Sequence, residues 1–174
     1  MLDKINEIYW DQLKELIYKL GSDKAYRIRN GGLRIEHLPH GDDCWWSDKS
    51  GSGKYRLVIG RTNTNTRYGF DAFNIVSSWE LWQMKNCCGI CVSTAVEVNK
   101  IYRKSGLGAL LNKIRLHIAK LDGYGLMLCT DVLSNEPQQK ILTANGWDCV
   151  KQFKNPRTGN DIGIHTVDLT KMEF

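Results

Sequence analysis

The 174-residue sequence predicts a single α/β domain closed by a C-terminal β-hairpin. Three observations carry that expectation. Apolar side chains recur at helical spacing through residues 3–20, the second half alternates strand-like and helix-like patterns in the order β-α-β-α-β-β, and its last two strand-like stretches flank a turn rich in Asn, Pro and Gly. Composition agrees, since 42% hydrophobic and 25% charged residues with 16 Gly and three Pro describe one globular unit over 1–174 and exclude fibrous, disordered and low-complexity classes. No run approaches the roughly 18 to 20 apolar residues of a membrane span. The opening MLDKINEIYW has two acids and lacks the apolar stretch of a secretory leader, so the expected address is the cytoplasm, away from membranes.

The first element is an amphipathic helix with Ile5, Ile8, Tyr9, Leu13, Leu16, Ile17 and Leu20 on its apolar stripe, Asp3 as N-cap and Gly21 as its stop. Tyr26 to Leu38 reads as two short strands around Asn30-Gly31-Gly32, because Asn and Gly tolerate the positive φ of hairpin turns. A polar loop, His40 to Lys54, contains Trp45 and Trp46. Strand-like stretches follow at Tyr55 to Ile59 and around Phe70 to Val76, while Ser77 to Lys85, with Trp79 and Trp82, fits helix and strand equally. Ile90 to Val98 is rich in β-branched residues, as expected of a strand buried on both faces. After a glycine-bearing turn, Leu107, Leu110, Leu111, Ile114, Ile118 and Leu121 define a helix of about four turns ending at Gly123. Leu126 to Val132 is a strand and Glu136 to Ala144 a short helix ended by Asn145-Gly146. Trp147 to Phe153 and Ile162 to Leu169 form the terminal hairpin.

The net charge of +5 is local. Lys100, Arg103, Lys104, Lys113, Arg115 and Lys120 fall within Lys100 to Leu121 without an acid, which leaves the rest of the chain at −1. One basic block indicates a particular anionic ligand rather than a uniformly polyanionic partner. Arg103-Lys104-Ser105-Gly106-Leu107-Gly108 sits at the centre of that block, between strand and helix. Helix N-terminal N–H groups, two glycines and two cationic side chains there suit a pyrophosphate, although a glycine turn for close strand–helix packing would also explain the pair.

The run Val98-Asn99-Lys100-Ile101-Tyr102-Arg103-Lys104-Ser105-Gly106-Leu107-Gly108-Ala109-Leu110-Leu111 resembles the acyl-CoA motif of the GNAT superfamily of N-acyltransferases, Gln/Arg-x-x-Gly-x-Gly/Ala after a strand. Asn135-Glu136-Pro137, Leu142 and Asn145-Gly146-Trp147 look like that family's downstream signature. The resemblance covers roughly Ile90 to Val150; residues 1–88 match no named pattern. It implies a mixed central sheet flanked by helices, in which the strands ending at Val98 and near Asp131 splay apart and admit the pantetheine arm. It implies acetyl-CoA, or another acyl-CoA, as cofactor and transfer of the acyl group to an amine by direct attack. Val98 would offer backbone groups to the pantetheine and an N–H to the oxyanion. Arg103, Lys104, Ser105, Gly106, Leu107, Gly108 and Ala109 would wrap the pyrophosphate, and Asn135 would contact the pantetheine. Residues 1–88 then form the acceptor-side half and 89–174 the acyl-CoA-binding half. Family members often carry Tyr, which protonates the leaving thiolate, where this chain has Leu142.

Amine attack needs a base, and Glu97 and Asp131 are the two candidates because each is an acid near the end of a cleft-lining strand. Pairing with a lysine or capping of a turn would explain either one equally. Ser134 is a weaker candidate; of the histidines, His117 is expected at the surface or half-buried, and His165 is expected to pack in the core. His37, His40, Asp42, Asp43 and Cys44 have metal-ligand chemistry, but Pro39 interrupts regular pairing and no metal is expected. Cys88-Gly89-Ile90-Cys91 precedes a strand rather than a helix and has no second pair, so core thiols are expected, and the six cysteines are expected to be reduced. Gly51-Ser52-Gly53-Lys54 lacks the spacing of a P-loop.

Trp45, Trp46, Tyr55, Arg56, Arg61, Arg67, Tyr68 and Trp79 mix aromatic and basic side chains that either stack a nucleobase or anchor core and loops. The hairpin run Phe153-Lys154-Asn155-Pro156-Arg157-Thr158-Gly159-Asn160, flanked by Lys151, is similar to hairpins of small phage-encoded GNAT-like proteins, some of which modify DNA bases. The amine acceptor therefore stays open among small molecules, proteins and modified nucleobases, with nucleic acid among the partners allowed. A non-catalytic module that binds CoA or a partner is the remaining alternative. The oligomeric state is not indicated.

Overall fold

The computed structural model describes residues 1–21, 32–39, 52–59 and 75–174. Helix α1, Leu2–Tyr18, buries Ile5, Tyr9, Leu13 and Ile17 at a spacing of four. Met1 rather than Asp3 is its N-cap, and Asp3 lies in the first turn, where its charge complements the helix dipole. Then come β1 (Leu33–Pro39), β2 (Gly53–Ile59), β3 (Ile75–Gln83), β4 (Ile90–Val98), a 3-10 turn at Lys100–Tyr102, α2 (Leu107–Leu121), β5 (Leu126–Val132), α3 (Glu136–Ala144), β6 (Asp148–Lys154) and β7 (Asp161–Asp168). The first strand expected before Asn30, the tryptophans at 45 and 46, and the stretch from Arg61 to Phe70 lie outside the described residues.

The strands form one mixed sheet in the order β1-β2-β3-β4-β5-β7-β6. Among the described strands only β4 and β5 run parallel, because α2 carries the chain back across the sheet between them. The core joins both halves of the chain: Ile5, Tyr9, Tyr55 and Trp79 belong to the same buried cluster as Leu111, Ile114 and Met127. Tyr55 and Trp79 stack with ring centroids 5.6 Å apart and are fully buried, which removes both from any base-stacking surface. Ser77 to Gln83 is strand, and Trp79 faces inward from it.

The expectation that β4 is buried on both faces holds only for its first half. Cys91 and Ser93 are buried, whereas Thr94 to Glu97 are exposed. The parallel pairing with β5 stops at Val92↔Leu128. Beyond it β4 stays with β3 as far as Ser77↔Val98, while β5 stays with β7 as far as Val132↔Ile162. A bulge causes the parting: Ala95 has φ of 50° and the β3–β4 register slips between Ser78 and Glu80. An extra residue of this kind bends its strand away from the neighbouring ladder. A V-shaped gap therefore opens in the middle of the sheet.

Candidate active site

The strand-to-helix connection closes one end of the gap. Asn99 Oδ1 accepts from Ile101 N at 3.3 Å, and Asn99 Nδ2 donates to Ile75 O at 3.2 Å, so one side chain both starts the 3-10 turn and ties it to β3. Arg103 Nε donates to Val98 O at 2.8 Å and folds the connection over the end of β4. Lys104 and Gly106 then take positive φ, 62° and 88°, a conformation that glycine adopts without strain and lysine does not. Ser105 Oγ donates to Tyr102 O at 2.9 Å and accepts from Leu107 N at 3.4 Å.

Leu107 N is capped by Ser105, and Ala109 N and Leu110 N bond Gly106 O. The N–H groups of Lys104, Ser105, Gly106 and Gly108 find no acceptor among the described residues. Unsatisfied amides at and just before the start of a 15-residue helix, in a turn with two left-handed residues, are the makings of an anion-binding nest. A Cβ added to Gly108 would lie 3.1 Å from Ile141 Cδ1, so α3 comes close to the other side of this end.

Beside the free end of β4 lies a cleft of about 610 Å³. Glu97, Val98, Arg103, Lys104, Gly106, Gly108, Ala109 and Asn135 line it, together with Val96, Tyr102, Leu111, Arg115, Pro137, Gln138 and Ile141, which sequence reasoning did not assign to the site. Ser105 and Leu107 stand behind it, one bonded within the turn and the other in the core. The main chain of Val98 faces the gap. Asn99 N bonds Val76 O and Glu97 O accepts from Ser77 Oγ, so residues 97 and 99 point toward β3 and, by strand alternation, the N–H and C=O of Val98 point the other way.

The two candidate bases are not brought together. Glu97 is exposed and lines both the cleft and a second cavity of about 220 Å³ built by Ile75 to Ser78 and Asn99. Asp131 lines neither cavity. Its carboxylate accepts from His165 Nε2 at 2.9 Å and from Gln139 Nε2 at 2.6 Å, and the Asp131 and His165 side chains are 7% and 3% exposed. The Asp131–His165 pair thus holds β5 to β7, and Gln139 brings α3 to β5. Leu142 is buried in the core and Ser134 does not line the cleft.

His117, expected at the surface or half-buried, is buried between Tyr9 and Phe174: its Nδ1 lies 3.1 Å from the Tyr9 hydroxyl, and its ring stacks on Phe174 at 4.5 Å. Cys91 is in the core, but Cys88 is exposed, contrary to the expectation for that pair. The described cysteines form no disulfide. His40 to Cys44 lie outside the described residues, and among those described no three His, Cys, Asp or Glu side chains cluster as metal ligands. No described helix is long and apolar enough to cross a membrane.

No protein-family model and no curated protein sequence matches the chain. Its backbone nevertheless superposes on solved structures. A GNAT-family acetyltransferase from Streptococcus pneumoniae matches 70% of this chain and 68% of its own, with a TM-score of 0.54 and 13% identity. The ribosomal-protein-S18-alanine N-acetyltransferase of Escherichia coli matches 82% of this chain and 99% of its own, with a TM-score of 0.57 and 10% identity. A Salmonella typhimurium protein solved with its cofactor acetyl-CoA matches 82% and 96%, with a TM-score of 0.54 and 12% identity. At such identities the likeness lies in the path of the backbone. With the parted parallel strands and the amide nest between them, it establishes that this chain has the GNAT acetyltransferase fold.

Proposed function

We propose that the chain is an acyl-CoA-dependent N-acyltransferase, with acetyl-CoA as the simplest donor. The observation that carries this reading is the set of four uncapped amides, at Lys104, Ser105, Gly106 and Gly108, beside a cleft whose walls are the end of β4, the start of α2 and the segment from Asn135 to Ile141. The residues fit the group. A diphosphate would satisfy the amides, Arg103 and Lys104 would add positive charge, and the cleft is large enough for a pantetheine arm between Val98 and Asn135. An acyl-CoA would supply a thioester with an electrophilic carbonyl carbon and a thiol as leaving group.

The chain's own residues do the rest. Val98 N–H is a fixed donor on the gap side of β4 for the oxyanion, a contribution worth roughly 3 to 4 kcal/mol in comparable sites. Glu97 stands at the junction of the cleft and the second cavity, where its carboxylate would take the proton of an amine held beside Ile75 to Ser78 as that amine displaced the thiol of a bound acyl-CoA. With a thiol pKa near 8.5, that displacement would need no acid at Leu142. Holding the two reactants in adjoining cavities would supply much of the acceleration.

The amine is open. The matched structures include a ribosomal-protein-S18-alanine N-acetyltransferase and a spermidine/spermine N-acetyltransferase, so small and protein amines both belong in the test. The experiment is release of free thiol from acetyl-CoA across a panel of amines. The reading expects acceptor-dependent release that falls by about 10²- to 10⁴-fold in Glu97→Gln with CoA affinity retained. A chain that binds CoA and releases no thiol with any amine is a binding module instead.

A further inference from the structure

The innermost part of the cleft carries a charge that the transfer reaction does not use. Arg115 projects from the inward stripe of α2, four residues after Leu111 and three before Ile118, and is 1% exposed. Nη1 donates to Ser93 Oγ at 2.8 Å, and Nη2 donates to Asn112 Oδ1. Both acceptors are neutral. Nε has no partner, and no carboxylate among the described residues pairs with the guanidinium. Burial lowers its pKa to about 10, which leaves it charged at neutral pH.

Its place in the fold is specific. Ser93 is the first β4 residue beyond the last β4–β5 pair, as Cys129 is on β5. Arg115 thus stands where the V closes, and it lines the cleft. An interior cation without an anion costs several kcal/mol that a Met or Leu of similar volume would not. The amide nest is at the N-cap of α2, nine residues before Arg115 and roughly 13 Å from it along the helix axis at 1.5 Å per residue. A thioester anchored there by its diphosphate and extended along the cleft would bring its acyl chain toward the apex, where a carboxylate at the tip of that chain would supply the missing anion.

Resting on the acyl-CoA reading above, we propose that the acyl group of the preferred donor ends in a carboxylate, as in succinyl- or glutaryl-CoA, and that the Arg115 guanidinium binds that carboxylate at the apex of the cleft. The test is calorimetric binding of CoA, succinyl-CoA and glutaryl-CoA against butyryl- and pentanoyl-CoA, which have the same carbon counts and methyl ends. A charge-assisted pair in a desolvated site predicts at least one carboxyacyl donor on the order of ten-fold tighter than its methyl-ended counterpart. In Arg115→Met that ratio falls to one or below, and CoA itself, which has no acyl group, reports whether the variant is folded. If Arg115→Met does not fold, the wild-type ratio decides. Ratios of one or less for both pairs in wild type overturn the carboxylate assignment alone. Failure of CoA and of every thioester to bind overturns the acyl-CoA reading beneath it.

Discussion

Replacing Gly108 by Asp separates binding from folding at the amide nest. Gly108 is the second residue of α2 and has ordinary helical φ. A side chain there meets only Ile141 Cδ1, 3.1 Å from the new Cβ, the movable end of a flexible residue. Helix propensity favours any ordinary residue over Gly by several tenths of a kcal/mol, and a carboxylate in the first turn gains about 0.3 to 1 kcal/mol from the dipole. Both oppose the cost of moving Ile141, so the unfolding free energy should stay within about 1 kcal/mol of wild type. Binding should respond very differently. A carboxylate about 4 Å from one diphosphate charge costs roughly 4 kcal/mol at an effective dielectric of 20, which corresponds to about a thousand-fold in Kd. Urea melts and calorimetric titration with CoA measure the two effects on one preparation, with Gly108→Ala as the uncharged control. A variant that folds normally and binds CoA within three-fold of wild type would refute the placement of the diphosphate.

Two further outcomes follow from the buried polar groups. Asp131→Ala leaves His165 Nε2 and Gln139 Nε2 without their acceptor, a loss of about 1 to 3 kcal/mol for each orphaned donor; urea melts should show it, while CoA affinity stays near wild type because Asp131 does not line the cleft. His117 has its pKa lowered from 6.5 by burial first and then by Lys4, Lys113 and Lys120. The unfolded chain therefore takes up the proton more readily, so this stability is complete above about pH 6.5 and declines as the pH falls toward the depressed folded value, by at most about 1.4 kcal/mol per pH unit. Melts at pH 7.5 and 5.5 should show that decline, flattened in His117→Gln.

Local pattern made most of the second half legible. The Leu107, Leu111, Ile114 and Ile118 stripe places α2, Leu126 to Val132 is a strand as read, and Glu136 to Ala144 is the short helix, because each is a self-contained periodicity. The nest was legible in part, since Gly106 takes the positive φ that glycine signals, whereas Lys104, equally left-handed, gives no such sign in the sequence. What depends on a distant partner was not. A run of β-branched residues reads as doubly buried, yet exposure of Thr94 to Glu97 follows from where β5 leaves β4. Trp79 and Trp82 are three residues apart, which suits helix and strand alike, and only pairing with Tyr55 decides between them. Arg115 is counted naturally with the basic block, although its spacing from Leu111 and Ile118 already placed it on the inward stripe. Glu97 and Asp131 were indistinguishable as acids on neighbouring strands until His165 and Gln139 were seen to occupy one of them.

The most direct test of the diphosphate site is the backbone amide spectrum of the isotope-labelled protein titrated with CoA. The account predicts that the largest N–H shifts fall on Lys104, Ser105, Gly106 and Gly108, with Leu107, already capped by Ser105, shifting less. Saturable CoA binding that leaves those four amides unmoved would contradict it.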